Sequence, residues 1–288
     1  MRSCLRTGAA LPHFPPLHHR RGNGVMIVWL NGTLRDESDA VIAPGDRGFT
    51  LGDGLFETMV VRGGHILRLE AHRARLAVGV GVLDLPLPPL DVAALAADLL
   101  RANGLTDATL RLTITRGCGP RGVLPPAVPI PTVLLTAAPL PPPLPPAACI
   151  TATVTRRNEH SPLARIKCLN YLDNILARQE AQRRGADDAI LLNTAGRVAE
   201  ATAATLFVVR DGRLLTPPVA DGALPGVLRA AILEREGQEA PLTPADLAEC
   251  EEAFLTSSLG LRPVTLLDGR PLPRVGDAPT RLTPTLFP

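Results

Sequence analysis

Residues 165–229 read RIKCLNYLDNILARQEAQRRGADDAILLNTAGRVAEATAATLFVVRDGRLLTPPVADGALPGVLR. The stretch predicts a helix over about 169–185, then strands at 188–193, 197–199, 204–209 and 213–215. Asn193-Thr194-Ala195-Gly196 and Arg210-Asp211-Gly212 supply hairpin turns between strands. A second helix is predicted over 225–236, opening after Leu224-Pro225-Gly226. A helix that feeds a hairpin-connected sheet calls for a mixed α/β fold.

The same stretch holds the only lysine of the chain, Lys167, and its only tyrosine, Tyr171. Lys and Arg together number 30, so 29 are Arg. Where Ala, Pro, Gly, Leu and Arg dominate, Arg replaces Lys wherever a positive charge suffices. The lysine that survives is a candidate for chemistry that Arg cannot do. An amine can lose its proton and attack a carbonyl, whereas a guanidinium stays charged. The other reading is a chance surface lysine, and on composition the two stand even. Tyr171 tilts the balance, because four residues of separation put it and Lys167 on one helix face or near one site.

Working outward, residues 139–147 (PLPPPLPPA) form a semi-rigid proline linker. It divides a small α/β domain at 26–138 from a larger domain at 148–288. In the first, strands are predicted at 26–30, 55–62, 109–116 and 131–137, and helices at 69–81 and 90–103. Pro86 stops the chain after the first helix, and Asp91 and Asn103-Gly104 bound the second. In the larger domain a strand at 149–156, a helix at 243–250 and strands at 252–256 and 262–267 complete the pattern. Residues 1–25 have no apolar core of secretory-signal length. Either Met26 is the natural start or residues 1–25 are a loose N-terminal extension.

A chain of 288 residues exceeds one ordinary domain, and 45% hydrophobic with 20% charged residues describes a globular protein with ample core. A net charge of +2 gives no general attraction to nucleic acid or anionic membranes. Pro and charge break the apolar runs, so no transmembrane helix is expected. Five scattered Cys without CxxC spacing form neither a disulfide framework nor a zinc site, and point to a reducing, cytoplasmic compartment. The six His show no metal-protease spacing, Gly52-Asp53-Gly54 is no dinucleotide fingerprint, and no GxSxG nucleophile motif occurs.

Seven motifs in order, VWLNG, RGFTLGDGLFET, HRARL, IKCLNYL, VAEATAATLF, LPGVLR and TSSLGLRPVTLLDG, resemble the fold-type IV pyridoxal-phosphate enzymes. These are branched-chain aminotransferases, D-amino-acid aminotransferases and aminodeoxychorismate lyases. The resemblance runs from Met26 to about Pro273 and implies two α/β domains with pyridoxal 5'-phosphate between them. It implies that Lys167 forms the Schiff base with the cofactor and moves protons, and that Tyr171 bonds the cofactor's phenolic oxygen. Glu200 matches the carboxylate that pairs with the pyridinium nitrogen. Arg75 matches the phosphate-clamping arginine, backed by the N–H groups of Gly226, Val227 and Leu228 and by Ser257. His72 is read as structural. Leu228 stands where many members carry Thr.

On the substrate side the resemblance implies Phe56, Arg116, Arg121 and Ser258. Phe56 replaces a Tyr of many transaminases, and Val123 stands where a D-amino-acid enzyme places His. Those departures and the RGxGxRG pattern lean to the lyases, whereas LPGVLR and NYL lean to the branched-chain transaminases. The expected function is transfer of an amino group from a branched-chain or D-amino acid to a 2-oxo acid. The alternative is 4-amino-4-deoxychorismate cleavage to 4-aminobenzoate and pyruvate. The resemblance also implies a homodimer.

Overall fold

The computed structural model describes residues 26–287. The expected extension at 1–25 lies outside the described residues. One antiparallel sheet is built from β1 (Ile27–Leu30), β2 (Thr33–Asp36), β3 (Gly54–Arg62), β4 (His65–Ile66), β5 (Ala108–Thr115) and β6 (Thr132–Pro139). Its order is β2-β1-β6-β5-β3-β4. Helices α1 (Arg47–Leu51), α2 (Leu69–Leu83) and α3 (Val92–Asn103) belong to the same half. Asp91 caps α3 through Ala94 N–H, and Gly104 ends it in the left-handed conformation at φ 62°, as expected.

Alternation along the strands sets what each face meets. Leu55, Met59 and Val61 of β3 join Leu110, Leu112 and Ile114 of β5 in one core with Leu76 of α2 and Leu99 of α3. Glu57 lies in phase with those apolar residues of β3. Phe56, Thr58 and Arg111 take the opposite phase and line a cavity. Thr58 pairs with Arg111 in the register.

The second sheet begins at β7 (Ala147–Thr151), so only residues 140–146 between the sheets are irregular. After α4 (Leu172–Arg183) come β8 (Asp188–Leu192), β9 (Val198–Ala201), β10 (Thr205–Arg210) and β11 (Arg213–Thr216). Then follow α5 (Val227–Leu233), β12 (Gln238–Glu239), α6 (Pro244–Glu249), β13 (Glu252–Ser257), β14 (Gly260–Leu267), β15 (Arg270–Pro271) and α7 (Asp277–Leu286). The order is β12-β11-β10-β13-β14-β7-β8-β9, with β15 on β14. β7 runs parallel to β14 and to β8, so the sheet is mixed. β8 and β9 are buried throughout, which is why neither shows a strict polar–apolar alternation. On one side of the sheet, stacked Phe207 and Phe254 pack under α5 and α7.

Short elements α1, β2, β4, β12 and β15 were not expected, α5 is shorter than the expected 225–236, and three further differences have a clear physical reason. The strand at 149–156 stops at Thr151, because the Glu180 carboxylate of α4 accepts from Thr153 N–H and Val154 N–H in place of a neighbouring strand. The helix at 169–185 starts only at Leu172, because the preceding residues are extended along β3. Helix α7 went unread because Pro279 and Pro284 look like breakers. Pro279 occupies the first turn, where its missing N–H has no helical partner to lose.

Candidate active site

Lys167 is placed by backbone bonds. Phe56 N–H donates to Lys167 O at 2.9 Å, and Leu169 N–H donates to Gly54 O at 3.0 Å. The lysine segment thus adds a short bridge to the start of β3. Gly54 permits this approach, since a Cβ there would sit 2.4 Å from Ile114 O and 2.9 Å from Leu169 Cδ1. The side chain enters a cavity of about 430 Å³ between the two sheets.

Inside the cavity Lys167 Nζ donates to Tyr171 Oη at 3.3 Å and lies 4.2 Å from the Phe56 ring centroid. Phe56 and Tyr171 meet edge to face at 5.2 Å. Burial pushes the lysine pKa down to about 8, and the charge of Arg75 pushes the same way. Burial also raises the Tyr171 phenol, with the Glu200 charge next in effect. The Lys167–Tyr171 pair expected from spacing is therefore formed, although Tyr171 caps α4 and Lys167 precedes the helix.

Glu200 is buried on β9, and its Oε2 accepts from Leu224 N–H at 3.0 Å. Its Oε1 lies 3.1 Å from Arg157. Burial raises this carboxyl's pKa, while Arg157, the Leu224 N–H and Lys167 oppose the rise. Arg75 reaches the cavity from α2, with Nε and a terminal nitrogen on the two oxygens of Glu57 at 2.8 and 2.6 Å. Its other terminal nitrogen donates to Pro225 O at 3.3 Å, just before Gly226. Gly226, Val227, Leu228, Ser257 and Ser258 line the same space. A Cβ on Gly226 would meet Thr205 Oγ1 at 2.9 Å, so that wall also requires glycine. Three buried polar atoms of lining residues have no hydrogen-bond partner among the described residues: Asn174 Oδ1, Thr256 Oγ1 and Arg229 Nε.

Two expected substrate residues are not brought to this cavity. Arg116 is buried elsewhere, where it binds Asp53 at 2.8 Å and donates to the carbonyls of Leu83 and Asp84. Its guanidinium is engaged in holding the end of α2 to the β3 entry. Arg121 lies on the exposed 117–131 loop, outside the lining.

The sequence reading missed Arg111, Glu57 and Arg157. Arg111 has no hydrogen-bond or ion-pair partner among the described residues, and its Cζ lies 3.9 Å from the Phe56 ring centroid. A signal was present. In Thr109-Leu-Arg-Leu-Thr-Ile, polar and apolar residues alternate, so Arg111 shares the polar face of a strand otherwise buried.

Residues 54–267 match the class IV amino-transferase family. The chain belongs to that family. It is 36% identical over 256 residues to a putative branched-chain-amino-acid aminotransferase of Methanocaldococcus jannaschii, covering 85% of this chain and 89% of that one. It is 31% identical to a D-alanine aminotransferase of Bacillus licheniformis, over 85% and 89% of the two chains. It is 30% identical to an aminodeoxychorismate lyase of Vibrio harveyi, over 83% and 90%. Among solved structures, the Escherichia coli branched-chain amino acid aminotransferase superposes with a TM-score of 0.84 at 27% identity, covering 92% of this chain and 94% of that one. A hypothetical aminotransferase from Mycobacterium tuberculosis, in a PLP-bound form, gives 0.79 at 26% identity, over 91% and 98%. This class IV aminotransferase thus has the mixed α/β, two-domain fold that its motifs implied.

Proposed function

We propose that this class IV aminotransferase uses pyridoxal 5'-phosphate to move an amino group from a branched-chain or D-amino acid to a 2-oxo acid. One observation carries the reading. The only lysine of the chain donates to a phenol in a cavity whose lining also holds the buried Glu200, and its pKa is lowered to about 8. The unpartnered Thr256 Oγ1 and Arg229 Nε and the glycine-lined wall at Gly226 fit a polar, phosphate-bearing group.

When bound, the cofactor supplies an electron sink for a carbanion at the substrate Cα. Arg75, the N–H groups of Gly226, Val227 and Leu228, and Ser257 hold its phosphate. Tyr171 orients it through its phenolic oxygen. Glu200 holds a proton on the ring nitrogen, and Arg157 and Leu224 N–H fix the Glu200 carboxylate. Lys167 Nζ takes and returns the Cα proton, a task suited to an amine whose pKa lies near the working pH.

Arg111, a cation without a partner among the described residues, meets the substrate or acceptor carboxylate over the Phe56 face, with Ser258 in the same lining. Phe49 and Leu51 of α1 and Leu172 and Ile175 of α4 are exposed, and Asn170, just before α4, donates to Gly52 O at the end of α1. These exposed apolar residues support a homodimer, expected to scatter light as about twice 30.4 kDa. No helix among the described residues is long and apolar enough to cross a membrane, and the scattered cysteines support a reducing, cytoplasmic location.

The deciding experiment is a half-reaction screen. Purified protein loaded with pyridoxal phosphate is mixed with L-amino acids, D-amino acids or aminodeoxychorismate, and the cofactor absorbance is followed. Amino transfer from an α-amino acid is expected. Turnover of aminodeoxychorismate alone would establish the lyase reading instead, which Phe56 in the cavity favours. No borohydride-sensitive band in protein incubated with the cofactor would reject both.

A further inference from the structure

Glu57 is among the most buried charged groups of the molecule, at 1% exposure, and it sits in phase with the apolar residues of β3. Such a placement needs full pairing, because an unpaired buried carboxylate is costly. Both oxygens are engaged. Oε1 accepts from Arg75 Nε at 2.8 Å. Oε2 accepts from an Arg75 terminal nitrogen at 2.6 Å and lies 2.7 Å from His72 Nδ1. His72 is itself 3% exposed and sits one turn before Arg75 on α2. Burial alone would raise the Glu57 pKa, but the bonds to Arg75 and His72 outweigh it and hold the carboxyl below its usual range.

The consequence falls on Arg75. A guanidinium carries five N–H bonds. Two are fixed by Glu57 and one by Pro225 O, which leaves two on the terminal nitrogens of a side chain that lines the cavity. A free arginine loses rotamer freedom when it meets an anion. An arginine held on one edge by a carboxylate has already lost that freedom on folding. The start of α5 offers backbone N–H groups only, since Val227 and Leu228 carry no hydroxyl. We propose that Glu57, backed by His72, is a positioning residue that holds the Arg75 guanidinium ready for the cofactor phosphate. This rests on the cofactor reading above, and the test separates the two.

Full-length protein freed of cofactor is dialysed to equilibrium against pyridoxal phosphate and, separately, against pyridoxal, which has the same ring and aldehyde without the phosphate. In Glu57→Gln the Kd for pyridoxal phosphate is expected to rise roughly tenfold, with the Kd for pyridoxal changed by less than about twofold. In an Arg75→Leu background the same change is expected to add almost nothing, because its effect passes through Arg75. His72→Leu is expected to show the same selective loss at about threefold, and His72→Asn, whose amide can replace the Nδ1–H, to restore affinity. Circular dichroism reports whether each variant folds, and if Glu57→Gln does not, the two His72 variants decide. Equal weakening of both ligands, unchanged affinity, or full additivity with Arg75→Leu would overturn the proposal. Wild-type protein that takes up neither ligand would overturn the cofactor reading and the proposal with it.

Discussion

In the cavity wall, charged side chains are held by other side chains and by single N–H groups. Glu57 grips Arg75, Arg157 grips Glu200, and Tyr171 receives Lys167. In the 117–131 loop a side chain holds backbone instead. Arg47 donates to the carbonyls of Gly122, Val123 and Leu124 and pairs with Asp53 at 2.8 Å, while Val123, Leu124, Val128 and Ile130 stay about four-fifths exposed. The wall has committed most of its polar groups, leaving Arg111, two N–H bonds of Arg75 and a few orphaned atoms without a partner among the described residues. The loop has committed its shape but not its side chains.

The harshest way to break that contrast is Lys167→Arg. Arginine keeps the charge but cannot shed its proton, so turnover is expected to fall at least about 10³-fold with the fold intact. The transamination assay and circular dichroism measure both, and substantial residual activity would remove Lys167 from the centre. Glu200→Gln is next. The cofactor is expected to remain bound while stopped-flow half-reaction rates drop about 10²-fold, since the ring nitrogen loses its charge partner. Unchanged rates would make Glu200 a structural acid.

Arg47→Met tests the loop. Asp53 keeps Arg116 as a partner, at 2.8 Å, so the expected destabilisation is about 2 kcal/mol rather than the larger loss of an orphaned buried charge. Urea unfolding gives the number. Hydrogen exchange is expected to quicken at 117–131, with cofactor affinity unchanged. If cofactor affinity falls too, wall and loop are one unit and the contrast fails.

Arg111→Met sharpens the substrate side. The KM for a dicarboxylic 2-oxo acid is expected to rise about tenfold, with a smaller change for a monocarboxylic one. Equal changes in both would assign Arg111 to the shared α-carboxylate. The smallest effect concerns proton linkage. Lys167 has a folded pKa near 8, below its ordinary 10.5, so the unfolded chain binds more protons between those values. The buried amine therefore destabilises the cofactor-free protein fully below pH 8, and the penalty fades as pH rises toward 10.5. Lys167→Met is expected to gain at least about 1 kcal/mol more at pH 7 than at pH 10, read from melting temperatures across that range.

Much of this was legible before any coordinates. Local patterns carry their own physics: Asp91 and Asn103-Gly104 bound a helix, Asp211-Gly212 turns a hairpin, and a lone lysine among arginines marks chemistry. Glu200, Arg75 and Tyr171 were singled out by the resemblance of their motifs to the fold-type IV enzymes, and the fold brings all three to one cavity with Lys167. Arg116 misled because an arginine in a glycine-rich loop looks the same whether it faces a substrate or a buried aspartate. Its partner, Asp53, lies 63 residues away.

What the sequence determined by itself was therefore most of the elements, since these depend on neighbours within a few residues, and the one candidate amine, since the chain holds a single lysine. What only the tertiary structure decided was which charges are already satisfied. Arg75, Arg111, Arg116 and Arg157 are equivalent as letters. Folding pairs Arg75 with Glu57, Arg116 with Asp53 and Arg157 with Glu200, and leaves Arg111 over an aromatic ring. Those pairings join β3 to α2, the end of β5 to the entry of β3, and the segment after β7 to β9. The energy of a buried charge depends on what lies within a few ångströms of it in space, and that distance is not written along the chain.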